Sequence, residues 1–171
     1  MTHLVPRKVV PSLTVAMAPQ GQWTLNANPP KQFTLLAFYR GLHCPLCRKS
    51  LQELNGLVGR FAELGVEVIA ISSDDRERAE KTRGSWSIAD VPLGYGLAIE
   101  EARRWGLYIS SANGSSEPTL FSEPGVFLVR PDGSLYMASV NTMPFARLHF
   151  EELLGSLEYI IKNNYPARGE A

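Results

Sequence analysis

The chain has little cysteine, no net charge and no long apolar segment, and each shortage excludes a class of protein. Two cysteines in 171 residues are too few for the disulfide framework of a small secreted domain. Seventeen basic residues balance seventeen acidic ones, so no strong field favours nucleic acid or an anionic membrane. No apolar run approaches the roughly 20 residues that span a bilayer. We therefore predict no nucleic-acid partner and no membrane partner.

The remaining composition is that of an ordinary globular protein, with 44% hydrophobic and 20% charged residues. A chain of this length is expected to form a single domain, here residues 1–171. Residues 1–30 are rich in Pro, Asn and Gln, and the segments SLTVAM and QWTL predict an N-terminal β-hairpin extension. The segment MTHLVPRKVVPSL lacks the continuous apolar core of a secretory signal, so we expect a cytoplasmic location.

From Phe33 onward the apolar pattern predicts a strand, a helix and a second strand. The continuous run FTLLAFY is typical of a strand that is covered on both faces. The helix that follows carries one apolar stripe and is expected to stop at Gly65. VEVIAIS then predicts a second buried strand, which completes a βαβ unit. Asp74 is the predicted N-cap of a helix in DRERAEKTRGSW, and SSDDRERAEK is expected to be a solvated charged face.

The C-terminal half predicts a short helix, a hairpin and a final helix. AIEEARRWG forms the short helix, and GVFLV and SLYMASV flank RPDG, whose Asp132-Gly133 pair favours a tight turn. The final helix is predicted from about Arg147 to Asn163. The order β-α-β, a helical region and β-β-α is the connectivity of the thioredoxin fold. We therefore predict an α/β protein with a mixed, four-stranded central sheet flanked by helices.

Both cysteines lie at the junction of the first main strand and its helix, in FYRGLHCPLCRKSLQEL. Pro45 suits the first helical position, which places Cys44 at the N-cap and Cys47 one turn inside, facing the interior. Nearby positive side chains are Arg40, Arg48, Lys49 and, when protonated, His43. Together with the helix N-terminus they favour a thiolate with a pKa lowered from ~8.5 to roughly 3.5–7.5. A thiolate attacks a peroxide or a disulfide, and a second thiol can close a disulfide.

A metal-binding role and a purely structural role for the pair also stay open. A single C-x-x-C can be half of a zinc site, but zinc takes about four ligands and the sequence has no second pair. The three histidines show no recognisable ligand spacing. Alternatively both cysteines are structural, because free cysteine often packs as a small apolar residue. We predict thiol redox chemistry with no metal and no cofactor.

At these residues the sequence resembles the peroxiredoxin superfamily, the alkyl hydroperoxide reductase and thiol-specific antioxidant group. It is most similar to the peroxiredoxin-like branch with FYRGLHCPLCRK at its active site. The resemblance extends over nearly the whole chain and includes WTL, VEVIAISSD, GYGLAIEEARRWGLY and GVFLVRPDGSLY. It implies an antioxidant enzyme that reduces hydroperoxides through Cys44 and Cys47 and is recycled by an external thiol reductant, thioredoxin-like or glutathione-like. The sequence leaves a homodimer open.

The chain departs from the peroxiredoxin pattern at the active site. Ordinary members read F-Y-P-x-x-x-T-x-x-C, so Arg40 stands at the proline, Cys44 at the threonine and Cys47 at the peroxide-reacting cysteine. The family's distal arginine, expected just before GVFLV, is replaced by Glu123 and Pro124. Pro124 instead resembles the cis-proline that thioredoxin-fold reductases place beside their C-x-x-C. Arg40 is predicted to stabilise a thiolate or polarise a peroxide oxygen, or else to be a surface ion-pair partner.

The two resemblances assign the attacking thiol differently. By thioredoxin logic an exposed Cys44 attacks and a buried Cys47 resolves, whereas by peroxiredoxin alignment Cys47 reacts with the peroxide and Cys44 resolves. Peroxide reduction is the first hypothesis for the function. The alternatives are thiol–disulfide exchange with disulfide substrates and a non-catalytic redox-sensing or binding module. SSANGSSEPTLFSEPG is predicted to be a loop, either beside the active site or elsewhere on the surface.

Overall fold

The computed structural model describes residues 3–171, which contain nine β-strands and four α-helices. In chain order they are β1 (Thr14–Ala18), β2 (Gln22–Thr24), β3 (Phe33–Phe38), α1 (Pro45–Glu63), β4 (Val66–Ile71), α2 (Arg76–Ser85), β5 (Leu93–Tyr95), α3 (Ile99–Arg104), β6 (Ile109–Ser111), β7 (Leu120–Ser122), β8 (Gly125–Val129), β9 (Leu135–Val140) and α4 (Phe150–Lys162). No helix among these residues has the length and apolar composition that a bilayer crossing requires.

Seven of the strands form one mixed sheet in the order β2-β1-β5-β4-β3-β8-β9. Its centre, β4-β3-β8-β9, has β3 parallel to β4 and antiparallel to β8, which confirms the predicted thioredoxin-fold core. The sheet is wider than the four strands predicted. The N-terminal hairpin β1-β2 belongs to it because β1 pairs antiparallel with β5, a three-residue strand too short for the apolar pattern to indicate.

Both faces of the central strand β3 are buried, which explains its continuous apolar sequence. Leu35 and Ala37 pack in the core under α1 and α4. Leu36 and Phe38 point to the opposite face and pack in a second core with Trp105, which follows α3. Alternate residues of one strand therefore supply two cores, and the end of β3 is held from both sides.

The starts of α2 and α4 differ from the prediction. Both differences place a side chain, Asp74 or Arg147, near the turn that carries the two cysteines. The N-cap of α2 is Asp75, whose carboxylate accepts the N–H of Arg78 at 2.9 Å, and not Asp74. Asp74 turns inward and is buried. The final helix α4 begins at Phe150, so Arg147 lies in the connection that precedes it. Outside the helix, the guanidinium of Arg147 donates to the Leu46 carbonyl at the start of α1.

The segment predicted as a loop contains regular structure. β6 and β7 pair antiparallel and form a hairpin outside the main sheet. Its connecting residues 112–116 are exposed. We call residues 109–122 the β6–β7 hairpin.

The packing of α1 on the sheet yields a test. Leu54 lies on the buried face of α1 and is fully enclosed. Leu54→Ala should lower the free energy of unfolding by about 2–5 kcal/mol, because it leaves a cavity between helix and sheet. Leu120→Ala removes a leucine that is 43% exposed and should cost less than about 0.5 kcal/mol. Urea unfolding of the reduced variants measures both, and similar losses would contradict this packing.

Candidate active site

The turn between β3 and α1 is held in place by a buried carboxylate. Asp74 accepts the backbone N–H of Leu42 at 2.8 Å and the Nε–H of Arg78 at 2.8 Å. The chain passes so close that a Cβ on Gly41 would lie 2.6 Å from Asp74 Oδ1, and Gly41 itself has a φ of +131°. SSDDRERAEK is thus not only a solvated face, since Asp74 fixes the residues that lead into the cysteine pair.

Cys44 caps α1 with its own sulfur. Its side chain accepts the backbone N–H of Cys47 at 3.2 Å, as an N-cap does, and Pro45 occupies the first turn. Both cysteines are free and buried, Cys44 with 1% and Cys47 with 0% of its surface exposed. The expectation of an exposed Cys44 is therefore wrong. The capping geometry turns the Cys44 side chain back toward the helix, and Cys44 belongs to the buried core that also contains Tyr39.

The surroundings of the two sulfurs drive their ionisation in opposite directions. The Cys47 thiol, which hydrogen-bonds Cys44, together with the Cys47 N–H, Arg40 and Arg147 lowers the pKa of Cys44 to about 6, although burial opposes this. Burial and the neighbouring Cys44 raise the pKa of the Cys47 thiol well above its ordinary value. These opposite shifts favour the thiolate on Cys44 and the thiol on Cys47.

The positive charges that act on Cys44 are not those next to it in sequence. Arg48 and Lys49 were predicted to contribute, but both are exposed because they lie on the solvent side of α1. Arg40, which precedes α1, and Arg147, which precedes α4, supply the charge instead. The helix periodicity that turns Cys47 inward turns its neighbour Arg48 outward.

Arg40 has both of the roles predicted for it, as an ion-pair partner and as a positive charge beside the thiolate. Its guanidinium forms ion pairs with Glu117 Oε1 and Glu123 Oε2, both at 3.3 Å, and lies 4.7 Å from the ring centroid of Phe121. The side chain is 15% exposed, so these are not surface pairs. Burial opposes the charge, but Glu123 and Cys44 together hold the pKa of Arg40 above its ordinary value. Arg40 is thus a fixed cation beside the thiolate.

His43 contributes packing and no charge to the site. Burial and the nearby Arg40 lower the pKa of His43, so the ring is neutral at pH 7. Its side chain is 2% exposed, and its ring packs edge to face against Phe121 of the β6–β7 hairpin, with the ring centroids 4.7 Å apart. Within residues 3–171, no three His, Cys, Asp or Glu side chains are grouped as metal ligands would be.

Arg147 is a site residue that the sequence pattern did not reveal. Its Nη2 donates to the carbonyl of Leu46 at 2.7 Å, and its Nη1 donates to the sulfur of Cys47 at 3.5 Å. One hundred residues separate Arg147 from Cys47. A local pattern could not join them, and the only signal was an arginine immediately before the apolar stripe of the last helix.

Pro124 lies beside Cys47, but it is not the cis-proline that it resembles. Among residues 3–171 the cis peptide bond is the one between Ala18 and Pro19, so the bond between Glu123 and Pro124 is trans. Pro124, Cys47, Asn141 and Arg147 line a small cavity of about 20 Å³. That volume holds roughly one water molecule.

Comparisons with known proteins agree with this architecture. The sequence profile of the AhpC/TSA family matches residues 6–138, most of the chain. The chain belongs to the AhpC/TSA family. No curated protein is significantly similar to it in sequence.

Solved AhpC/TSA-like structures share the fold at low sequence identity. Peroxidoxin BcpB from Mycobacterium tuberculosis is 19% identical over 92% of this chain and 99% of its own, with a TM-score of 0.75. A C47S mutant of PrxQ from Xylella fastidiosa is 17% identical over 93% and 98%, with a TM-score of 0.76. Reduced Prx3 from Vibrio vulnificus, in complex with H₂O₂, is 14% identical over 91% and 99%, with a TM-score of 0.74.

Membership in the AhpC/TSA family confirms the predicted enzyme class, a thiol-dependent peroxidase of the peroxiredoxin type with a thioredoxin fold. Members act on hydroperoxides, use thioredoxin-like reductants and often form dimers. By the resemblance described above, this chain differs from ordinary members in the groups around its thiols, with Cys44 at the position of the threonine and Arg40 at that of the proline.

The ionisation of the pair can be measured directly. Alkylation of Cys44 by iodoacetamide, followed by peptide mass spectrometry across pH, should show a midpoint of about 6. Thiolate predominates above that pH, so reactivity is lost as the pH falls through it. Arg40→Met should move the midpoint upward and Arg48→Met should leave it in place. A midpoint near ~8.5, the value for free cysteine, would contradict the site described above.

The turn before α1 gives a second test. Gly41→Ala should destabilise the protein by about 1–3 kcal/mol, because its Cβ would collide with the Asp74 carboxylate and its φ is positive. The same change should slow Cys44 alkylation at pH 7 by displacing the N-cap. Gly114→Ala is the matched control, since nothing lies within 4 Å of a Cβ there. Normal alkylation in Gly41→Ala would show that Asp74 does not position Cys44.

Proposed function

We propose that the enzyme reduces small hydroperoxides with Cys44 as the attacking thiolate and Cys47 as the resolving thiol. The observation that carries this assignment is the N–H of Cys47 that donates to Cys44 Sγ at the start of α1. With Arg40 beside it, Cys44 has a pKa of about 6 and is ionised at pH 7. Cys47 stays protonated because burial and the Cys44 charge raise its pKa.

The space around Cys47 supports the same division of roles. The cavity beside it has a volume of about 20 Å³, enough for roughly one water molecule. A hydroperoxide that carries an organic substituent is larger than this space. Cys47 is therefore poorly accessible to a substituted hydroperoxide, while it remains one helical turn from Cys44.

The reaction proceeds in three steps. The Cys44 thiolate attacks one peroxide oxygen, the S–O bond forms as the O–O bond breaks, and the alkoxide or hydroxide that leaves takes up a proton. Cys44 is then a sulfenic acid, oxidised by two electrons. The Cys47 sulfur attacks the Cys44 sulfur, which closes the disulfide and releases the hydroxyl group as water with the thiol proton. An external thiol pair reduces the disulfide and is itself oxidised.

Arg40 is suited to assist the first step. Negative charge develops on the leaving oxygen, and a fixed donor nearby can be worth roughly 10²–10³ in rate. Glu117 and Glu123 hold the guanidinium from the side of the β6–β7 hairpin and β8. Together with the N–H groups at the start of α1, Arg40 stabilises this negative charge. In ordinary members the resemblance assigns that role to the threonine hydroxyl and the distal arginine, which the chain lacks.

Burial of the pair favours a small oxidant over a protein disulfide. With Cys44 only 1% exposed, a protein disulfide cannot approach its sulfur in line without movement of the surrounding chain. A peroxide needs far less room. We propose a thioredoxin-like or glutathione-like reductant for the last step, and a protein reductant requires movement of the surrounding chain once the disulfide has formed. Such reductants operate in a reducing compartment such as the cytoplasm, which we propose as the location of the enzyme.

Single cysteine variants separate these roles. With one equivalent of hydrogen peroxide, Cys47→Ser should stop at a sulfenic acid on Cys44, which dimedone traps for mass spectrometry. Cys44→Ser should not react at a comparable rate, and wild type should lose two hydrogens within one chain. A sulfenic acid on Cys47 in Cys44→Ser, with an inert Cys47→Ser, would reverse the assignment. Failure of wild type with peroxide but turnover with disulfides would favour thiol–disulfide exchange.

A further inference from the structure

The resolving thiol faces a chemical difficulty that the first step does not share. Cys47 has to attack as a thiolate, yet its sulfur is fully buried and burial raises the pKa of its thiol. The backbone N–H of Cys47 at the start of α1 donates to Cys44 Sγ and so serves the first thiolate. Another donor is therefore required at Cys47 once Cys44 has become a sulfenic acid.

Arg147 occupies that position. Its Nη1 donates to Cys47 Sγ at 3.5 Å while its Nη2 is anchored on the Leu46 carbonyl at 2.7 Å. The two contacts come from one planar guanidinium, so the anchored nitrogen fixes the direction of the other. Arg147 is half-buried, and the Cys47 sulfur lies away from bulk water.

The connection that carries Arg147 is held in one conformation. Asn141 donates its backbone N–H to the Pro124 carbonyl at 2.9 Å and its side-chain amide to the Ala146 carbonyl at 3.2 Å. Ala146 has a φ of +50°, which is uncommon for a residue with a side chain. Such a conformation persists where its surroundings determine it, and here it directs the next residue, Arg147, toward α1.

We propose that Arg147 is a catalytic residue of the resolving step, in which it stabilises the Cys47 thiolate that attacks the Cys44 sulfenic acid. This inference rests on the proposed function and extends it. The two arginines then differ in their main roles. Arg40 serves Cys44 before the peroxide reacts, whereas Arg147, whose charge also lowers the pKa of Cys44, contacts the Cys47 sulfur and serves it afterwards.

The electron and proton balance of the step is simple. The Cys47 thiol gives up its proton as Arg147 stabilises the negative sulfur, the S–S bond forms and the S–O bond of the sulfenic acid breaks. The hydroxyl group leaves with both bonding electrons and combines with that proton to form water. The peroxide has already supplied the oxidation, so no further oxidant is required.

Three charged or titratable side chains act on the Cys47 sulfur, namely Cys44 at the N-cap, Tyr39 after β3 and Arg147 before α4. Arg40 acts on it through its backbone N–H and not through its guanidinium. Once oxidised to sulfenic acid, Cys44 no longer presents the thiolate charge that opposes ionisation of Cys47. Arg147 is then the cationic side chain in hydrogen-bond contact with that sulfur.

The test separates the two steps in Arg147→Met. Rapid mixing with hydrogen peroxide, quenching with dimedone and mass spectrometry follow sulfenic acid and disulfide separately. Disulfide formation should slow by at least about tenfold, the loss of thiolate that one pKa unit represents, while peroxide consumption in the first turnover changes much less. Sulfenic acid should accumulate, and sulfinic acid should form at lower peroxide concentration than in wild type.

Two further variants distinguish catalysis from a structural effect. Arg147→Lys keeps a positive charge and should restore part of the resolving rate, and the pH profile of disulfide formation in Arg147→Met should shift to alkaline pH. Arg48→Met removes an exposed arginine next to Cys47 and should change neither step. A structural disturbance alone would slow both steps and would not be relieved at higher pH.

Several outcomes would overturn the inference. Disulfide formation at the wild-type rate in Arg147→Met would show that Cys47 needs no cation, and equal slowing of both steps would show only a general charge effect. These results differ from failure of the proposed function, in which Cys47→Ser forms no sulfenic acid on Cys44 whatever residue stands at position 147.

Discussion

The N–H of Cys47 that donates to the sulfur of Cys44 is the interaction on which the rest of the site depends. It makes a cysteine the N-cap of a 19-residue helix and therefore places a negative sulfur at the positive end of the helix dipole. The turn that leads to Cys44 has to follow one path for this bond to form. Asp74, Arg78 and the tight passage at Gly41 set that path from the beginning of α2.

A buried thiolate is tolerated only because the charges around it are matched. Removing an ion from water costs several kcal/mol unless partners replace the lost solvation. Arg40 is such a partner, and its own burial is balanced by Glu117 and Glu123. The β6–β7 hairpin, which carries Glu117, is therefore connected to the thiolate through a single guanidinium. The position of the β6–β7 hairpin therefore affects the ionisation of Cys44 through the charge of Arg40.

The chain keeps the AhpC/TSA fold while it exchanges the groups around the thiols. Cys44 stands where the resemblance places the family's threonine, so the two cysteines lie one helical turn apart and both sulfurs belong to the same helix start. By the same resemblance, Glu123 stands where the family's distal arginine is expected, and it forms an ion pair with Arg40 just after β3. A cation still lies beside the Cys44 sulfur, but it comes from the connection between β3 and α1.

The sequence by itself determined the elements and the location of the chemistry. Apolar periodicity is a local property, so β3, α1, β4, the hairpin β8-β9 and most of α4 follow from it, and so does the cysteine pair at a strand–helix junction. It could not show that Cys44 is buried, that Arg48 and Lys49 point to solvent, or that Glu123–Pro124 is trans. The widening of the sheet by β5 also depended on a strand too short to leave a pattern. Tertiary structure alone brought Asp74 and Arg147 to the pair, because contacts across 32 and 100 residues arise from how packed elements meet and leave no periodic signal in the chain.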